Sequence, residues 1–206
     1  LSFQSKYAGS PARFIGIENF IELILDESFL KIMYNTIFYT FFGVFIKFLI
    51  GLISALILNE KIKFVSIFRT ILFIPWAVPT VISSFIWLWI YDDFSGLLNL
   101  SLQGLSLTEE YYSWLADPNL AMWSLIAVVV WNGTPFYTMH FLAGLQAISK
   151  ELYEAAEIDG AGIIGRFYYI TLPSLKDVFT ITIMLSTVFT STSIVVVNLM
   201  TNGAPS

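Results

Sequence analysis

Gly160, Gly162 and Gly165 stand in the run "EAAEIDGAGIIGRFYYITLP", residues 154–173, at the spacing of a G-x-G-x-x-G turn. The chemistry such a turn performs is phosphate binding. Backbone N–H groups at a helix N-terminus close on a pyrophosphate, and the glycines let the backbone come near it. That geometry needs a buried strand leading into the first glycine and a helix after it. The residues before Gly160 are instead "SKELYEAAEID", a run of helix formers whose Glu151, Glu154, Glu157 and Asp159 would repel a pyrophosphate. No second βαβ unit follows, so the glycines read as a break between two pieces of helix, and nucleotide binding is set aside.

Other reactive groups are sparse. The chain has no cysteine, which excludes disulfides and thiolate metal sites, and its one histidine, His140, excludes a histidine metal cluster. One histidine and no clustered acids within the apolar segments leave a membrane enzyme little to work with. The 206 residues are 57% hydrophobic and 12% charged, where a soluble domain carries about 25% charged residues. Mean hydropathy is +0.77. Water is therefore not the only solvent of this chain. A net charge of -5 argues against a nucleic-acid partner. Leu1 is not a natural start, and both ends read as cuts within a longer protein.

Four apolar segments are long enough to cross a bilayer, which takes about 20 residues of helix. They run over residues 35–58, 70–91, 120–147 and 172–200. The second contains Pro75 and Pro79 and the third Gly133 and Pro135, residues that kink helices but are tolerated in membranes. The connecting segments differ in charge. Lys61, Lys63 and Arg69 lie between the first and second segments, and Lys150, Arg166 and Lys176 around the link from third to fourth. Residues 92–119 hold Asp92, Asp93, Glu109, Glu110 and Asp117 with no Lys or Arg. The positive-inside rule then puts the two basic links in the cytoplasm and the acidic loop outside, with residues 1–30 and the tail 201–206 also outside. Lys6 and Arg13 are a mild exception. Trp87, Trp89, Tyr91, Trp114 and Trp123 cluster at the outer ends of the second and third segments, as interfacial aromatics do. Residues 16–30, "GIENFIELILDESFL", have apolar groups at helical spacing opposite acids and read as an amphipathic helix on the outer surface.

Residues 148–172 then form a cytoplasmic element of their own. Ser149 can cap a helix with Leu152, Ala155 and Ala156 on its apolar side. Gly160 can end it by taking a backbone conformation other residues resist. The small Ala155 and Ala156 would let another surface come close. The element reads either as a docking lever or as an ordinary interfacial helix leading back into the membrane.

These residues resemble a known family. Glu154-Ala155-Ala156, then Gly160, then Ile170 and the Leu172-Pro173 pair match the EAA loop of membrane subunits in binding-protein-dependent ABC importers. "FIGIENF", "NTIFYT", "GLISALILNEK", "FRTILFIPWAVPTVISSFIW", "LAGLQAISKELYEAAEIDGA" and "NLMTNGAPS" are similar in order and spacing to the carbohydrate-importing branch, the maltose and glycerol-phosphate type. The resemblance implies an all-α membrane protein with the type I importer permease fold. Its 206 residues would be a single permease domain lacking one helix at each end, with four transmembrane helices here plus amphipathic and cytoplasmic coupling helices. It implies a multi-pass protein of the inner, cytoplasmic membrane that works with a second permease subunit, two cytoplasmic ATPase subunits and an external substrate-binding protein that delivers a sugar. The chain itself would be non-catalytic and hold no cofactor. It has no G-x-x-x-x-G-K-[ST] phosphate loop, so ATP and Mg would sit on the ATPase subunits. Glu154, Ala155, Ala156, Asp159 and Gly160 would meet the ATPase, with Glu154 pairing to a basic residue and Gly160 bending the loop into its cleft.

The same resemblance implies a sugar cavity midway through the membrane, lined by Trp76, Thr80, Gly133, Phe136, Ser186, Phe189, Thr190 and Ser193, with polar Asn132 adjacent. Ser186, Thr190 and Ser193 fall three to four apart and share one face of a continuous helix. Such a face can line a cavity or join helices. It offers more hydroxyls than amides, so the ligand need not be maltose. Lys47 stands alone in the middle of the first segment, where a charge is costly. It is either a ligand for an anionic sugar, such as a uronate or sugar phosphate, or a lysine that snorkels or pairs within the complex. The second reading is favoured because the implied cavity helices do not include its position. A competing class, an ion-driven secondary transporter or channel, would explain the spans, the prolines and Lys47 but not the EAA loop.

The charge asymmetry gives a direct test of orientation. Because the chain has no native cysteine, single cysteines at positions 63 and 109 can be labelled in intact cells with an impermeant maleimide. Lys63→Cys should stay unlabelled and Glu109→Cys should react; the reverse pattern would invert the topology.

Overall fold

A computed structural model of the chain describes residues 2–5, 13–60 and 63–203. Lys6, Lys61 and residues 204–206 of the tail lie outside the described residues. Two compact units are present, Leu1–Tyr39 and Thr40–Ser206.

In the first unit a two-residue strand β1 (Gln4–Ser5) pairs antiparallel with β2 (Arg13–Phe14). Helix α1 (Glu18–Leu25) follows and buries none of its residues. It is shorter than the amphipathic helix expected over 16–30, because Asp26 breaks it. The Asp26 backbone is extended, and its carboxylate accepts the Ser28 N–H at 2.8 Å. Residues 27–30 thereby become the first turn of the next helix, α2 (Glu27–Asn59), which is 33 residues long, where a span requires about 20.

The second unit is built around α6 (Pro118–Ala147), the helix with the most buried side chains. Asp117 caps it by accepting the Asn119 N–H at 2.7 Å, and Pro118 takes the first helical position, where its missing N–H costs nothing. Pro135, expected to kink this segment, lies inside one continuous helix. The core joins α6 to α2 through Leu52, Ala55, Leu58, Tyr137, Phe141, Leu142, Leu145 and Leu175. Phe141 meets Phe48 at 5.4 Å and Phe179 at 4.8 Å between ring centres, both edge-on. Lipid gives no hydrophobic drive to pull helices together, so close approach through small residues matters more than it would in water. At Gly51 a Cβ would collide with the Cβ of Tyr137.

The second apolar segment departs furthest from expectation. It is not one kinked span over 70–91 but two helices, α3 (Val65–Ala77) and α4 (Thr80–Ile90), bent by 98°. The cause is local: Val78 precedes Pro79 and is forced extended, with ψ 124°. Helix α3 also takes in residues 65–69 of the basic link, and Arg69 donates to the Leu58 carbonyl in the last turn of α2 at 3.3 Å. The acidic loop contains an unanticipated helix, α5 (Leu97–Gly104). Its Asn99 is fully buried and uses every hydrogen-bonding position, donating to the Asp93 and Tyr112 carbonyls and accepting from Tyr112 N and Trp114 Nε1. Asp92 accepts from the Ser95 N–H and hydroxyl and from the Phe94 N–H, which holds its carboxyl below the usual range.

After α6 come α7 (Lys150–Ile158), α8 (Ile163–Arg166), a π-helical turn (Phe167–Thr171), and a short turn α9 (Leu172–Ser174). Then α10 (Lys176–Thr192) and α11 (Val195–Thr201) replace the single helix expected over 172–200. Three helical stretches, Glu27–Asn59, Pro118–Ala147 and Lys176–Thr201, are long and apolar enough to cross a membrane, or up to four spans if the bent pair α3–α4 is counted as one. Large apolar side chains such as Phe41, Ile53, Phe85 and Met184 face outward, as they do in a bilayer and rarely do in water.

The Gly51 contact predicts a stability difference. Gly51→Ala forces α2 and α6 apart and should cost about 1–3 kcal/mol. Gly104→Ala, where an added Cβ meets nothing within 4 Å, should be neutral. Thermal melts of the two variants in detergent check this; equal midpoints would show that the α2–α6 contact yields freely.

Candidate functional site

Two places hold the residues singled out from the sequence, the loop after α6 and a polar cluster inside the helix bundle.

In the loop, the Ser149 hydroxyl accepts the Glu151 N–H at 3.3 Å and starts α7. The helix ends at Gly160, whose φ of +80° only glycine adopts cheaply. The Ala161 N–H reaches back to the Ala156 carbonyl at 2.8 Å and the Gly160 N–H to that of Glu157 at 3.1 Å, the paired bonds of a Schellman stop. A helix leads into Gly160, not a strand, so the glycine pattern is a helix stop and not a nucleotide turn. Tyr153 and Glu157, one turn apart, tie α7 to the π-helical turn and to α8. The Tyr153 hydroxyl is 2.9 Å from the Thr171 hydroxyl, and Glu157 pairs with Arg166 at 3.2 Å. The other side of α7, with Glu151, Glu154, Ala155 and Ile158, is exposed, as are Asp159 and Gly160, while Ala156 is half-buried. Ile158, Ile163 and Ile164 expose 74–87% of their surface beside those acids. The arrangement presents an acidic and apolar face tied from behind by these two contacts.

Inside the bundle, Asn132 and Gly133 on α6 serve two neighbours. The Asn132 amide donates to the Pro75 carbonyl at 2.9 Å and reaches the Val78 carbonyl at 3.5 Å and the Ser83 hydroxyl at 3.3 Å. It thus occupies the backbone groups that the α3–α4 break leaves open. Gly133 makes room for Lys47: a Cβ there would lie 2.7 Å from Lys47 Cδ. Lys47 is 3% exposed and donates to the Thr190 hydroxyl at 2.8 Å, with its ammonium 5.9 Å from the centre of the Tyr137 ring. Thr190 lies in the last turn of α10, where the carbonyl ends of the helix carry partial negative charge.

The magnitudes show how far this compensates the lysine. A lysine at the centre of a membrane helix costs about 2.5–3.5 kcal/mol. A hydrogen bond from a charged donor returns about 1.5–3 kcal/mol, and a helix C-terminus about 0.3–1 kcal/mol or somewhat more when buried. The two together are of the same order as the cost, and they use one of the three ammonium protons.

The remaining expected site residues are distributed unevenly. Ser186 and Thr190 are buried, together with Thr182, one turn further back. Ser193 does not continue their row, because α10 ends at Thr192 and the Ser193 backbone is extended. The shared face of three hydroxyls is therefore corrected to Thr182, Ser186 and Thr190. Trp76 and Phe189 are 55% and 62% exposed, Thr80 is half-buried at the start of α4, and Phe136 packs 4.2 Å from His140. A cavity of about 580 Å³ between α2, α3 and α6 is walled by Ile46, Ile50, Ile71, Leu72 and Trp131. Its one hydroxyl, Thr134, is bound to the Val130 carbonyl, so it offers little to a sugar. The contact of Lys47 with Gly133 and Thr190 removes the ground on which it was separated from the cavity residues. The signal was present in the sequence: Gly43, Lys47 and Gly51 recur every four residues, so the lysine shares the close-packing side of its helix.

The fold and this loop define a class, helical membrane proteins with the type I importer permease fold. In structure the chain matches a chain of a bacterial ABC transporter involved in the import of the acidic polysaccharide alginate, with a TM-score of 0.80 and 22% identity, covering 91% of this chain and 66% of that one. The chain belongs to the family of binding-protein-dependent transport system inner membrane components, whose pattern it matches over residues 47–205. It is thus a multi-pass protein of the inner membrane. It is 39% identical over 194 residues to the trehalose/maltose transport system permease protein MalF of Thermococcus litoralis, covering 93% of this chain and 64% of that protein. It is 34% identical over 198 residues to the sulfoquinovosyl glycerol transport system permease protein SmoG of Agrobacterium fabrum, covering 96% and 64%. The chain thus spans about two thirds of the length of these relatives.

The Asn132 geometry makes a prediction of its own. Asn132→Leu leaves the Pro75 and Val78 carbonyls without their donor in an apolar setting and should destabilise the chain by about 1–3 kcal/mol. Asn132→Gln, which keeps an amide, should recover part of that loss. Thermal melts in detergent check both; a fully stable leucine variant would mean that the bend supports itself.

Proposed function

We propose that the chain is the membrane permease subunit of an ATP-driven, binding-protein-dependent importer of sugars or oligosaccharides. The observation that carries this reading is the loop over residues 148–172. An acidic helix with its Glu154 face open is tied to α8 and the π-helical turn, and these lead through α9 into α10, the helix that bears the buried hydroxyls. Force applied to the loop is carried along α10 to Thr190 at its other end. The family membership and the sugar transport named for the relatives support the same reading.

In this reading the end with Lys63, Arg69, Lys150 and Arg166 is cytoplasmic, and two ATPase subunits, carrying ATP and Mg, engage the loops of this chain and of a second permease subunit. Glu154 pairs with a basic ATPase residue, Ala155 and Ala156 allow close contact, and Asp159 and Gly160 form the turn that enters the cleft. The chain itself has no catalytic role. An external binding protein delivers the sugar at the acidic loop. Closing of the ATPase pair moves the loop, and α10 shifts against α2 and α6. The hydroxyls of Ser186 and Thr190 then open toward a path completed by the second permease subunit. Trp76, Phe136 and Phe189 supply aromatic faces, and Thr80, Asn132, Gly133 and Ser193 the polar rim. Hydroxyls suit this task because their hydrogen bonds to a sugar are individually weak and readily exchanged.

The test is Glu154→Lys in the complex with its own partners, reconstituted in proteoliposomes. Import should fall at least tenfold, and the loaded binding protein should no longer stimulate ATP hydrolysis, while the amount of inserted protein is unchanged. Wild-type import by this variant would overturn the coupling role. Import by the unaltered complex without ATP would favour an ion-driven carrier instead.

A further inference from the structure

The ammonium of Lys47 is enclosed between α2, α6 and α10, the residue keeping a relative exposure of 3%, and its hydrogen bond goes to a neutral hydroxyl, Thr190. Among the described residues the one ion pair is Arg166 with Glu157, so no carboxylate lies within 4.0 Å of Lys47. Nor do the apolar segments 35–58, 70–91 and 120–147 contain an Asp or Glu that could approach it. In α10 the acid is Asp177, at the opposite end of the helix from Thr190. What offsets the charge is the C-terminal turn of α10 and the face of the Tyr137 ring 5.9 Å away on α6, and α10 is the helix that the coupling loop leads into.

We propose that Lys47 makes the Thr190 end of the transport path an anion site, and that the sugar carried by this protein bears an acidic group, a carboxylate or a sulfonate. The proposal rests on the permease reading above and names its substrate class. When α10 withdraws to open the path, the ammonium loses both Thr190 and the end of the helix at once. A neutral sugar would leave it with only the Tyr137 ring and no hydrogen-bond partner or opposite charge in an apolar bundle, which is an expensive state for a buried ion. An acidic sugar replaces the lost partners with a full opposite charge and uses the two free ammonium protons. When α10 returns, Thr190 and the helix end take the ammonium back, so the anion is released rather than trapped. Gly133 fits this role, since any larger residue there would occupy the space of the lysine chain. A carboxylate from the second permease subunit is a poorer partner, because Lys47 is already covered by its own chain and such a group would also have to wait for α10 to move.

The complex with its own partners, in proteoliposomes, tests this with a panel of short oligosaccharides delivered by the binding protein: oligouronates, a sulfonated sugar, and neutral sugars of the same length. The unaltered complex should import an acidic member, and whether uronates or the sulfonated sugar move identifies the acid. Lys47→Gln, which can still bond Thr190, should slow that import at least tenfold, and Lys47→Arg should keep most of it. Import of neutral sugars alone would overturn the proposal and leave the permease reading intact. So would acidic import at the unaltered rate by Lys47→Gln, or equal losses in the Gln and Arg variants, which would make the lysine a fastening between helices. If Lys47→Gln fails to assemble, the panel on the unaltered complex still decides. Import of no sugar at all in the presence of ATP would overturn the permease reading itself.

Discussion

A backbone carbonyl freed inside an apolar bundle must find a donor, and most of this structure depends on where that happens. Two helices break within the apolar part of the chain, one at Val78–Pro79 and one at Ser193–Ile194. Water cannot satisfy the open groups there, and each unsatisfied group is expensive. The adjacent residues Asn132 and Gly133 on α6 serve the helices that carry these breaks. Asn132 donates directly to the carbonyls of the first. Gly133 admits Lys47, which reaches the turn before the second. One turn of one buried helix therefore supplies the donor for the first break and the room for the lysine that holds the hydroxyl of Thr190 just before the second.

The same geometry describes how α10 is held. On the loop side, α7 is fastened to the π-helical turn by Tyr153 on Thr171, and to α8 by Glu157 on Arg166. At the far end of α10, Thr190 is held by Lys47. Between these points the side of α10 that faces the bundle carries Thr182 and Ser186 with Phe179, while Ile181, Met184, Leu185 and Val188 face outward. A helix fastened by a few polar contacts and otherwise greased by apolar ones can shift without tearing a packed core. π-helical turns concentrate at functional positions for a related reason, since their spare residue can be taken up or released as a helix moves.

The acidic loop behaves differently. Asn99 saturates its hydrogen bonds against Asp93, Tyr112 and Trp114, the Tyr91 hydroxyl donates to the Ser124 carbonyl, and the Ser124 hydroxyl donates to the Trp114 carbonyl. The loop is thus built onto the start of α6 as a firm platform. Its exposed Phe94, Tyr111 and Leu107 remain available at its surface.

The sequence by itself determined the solvent, the helical class and the loop. Long apolar runs with few charges can satisfy their backbones only as helices in a bilayer. Ser149, the acids of α7 and Gly160 spelled out a capped helix and its stop, because caps and positive-φ stops depend on neighbours a few residues away. Tertiary structure decided what depends on distant partners. Pro75 and Pro79 announced a kink and Val78 before Pro79 starts it, but the 98° bend is held inside the bundle by Asn132, more than fifty residues further on, which donates to the freed carbonyls. The hydroxyls at 186, 190 and 193 looked like one face, since spacing assumes an unbroken helix; the break at Ser193 removed the third and left Thr182 in its place. Lys47 looked remote from the expected cavity because the helices implied to line it do not include its position, yet its ammonium bonds Thr190, 143 residues away. Only the packing of α2 on α6 at Gly51 and Gly133 brings its ammonium there. Periodicity reports which side of a helix is buried, and the identity of what it is buried against is a property of the folded chain alone.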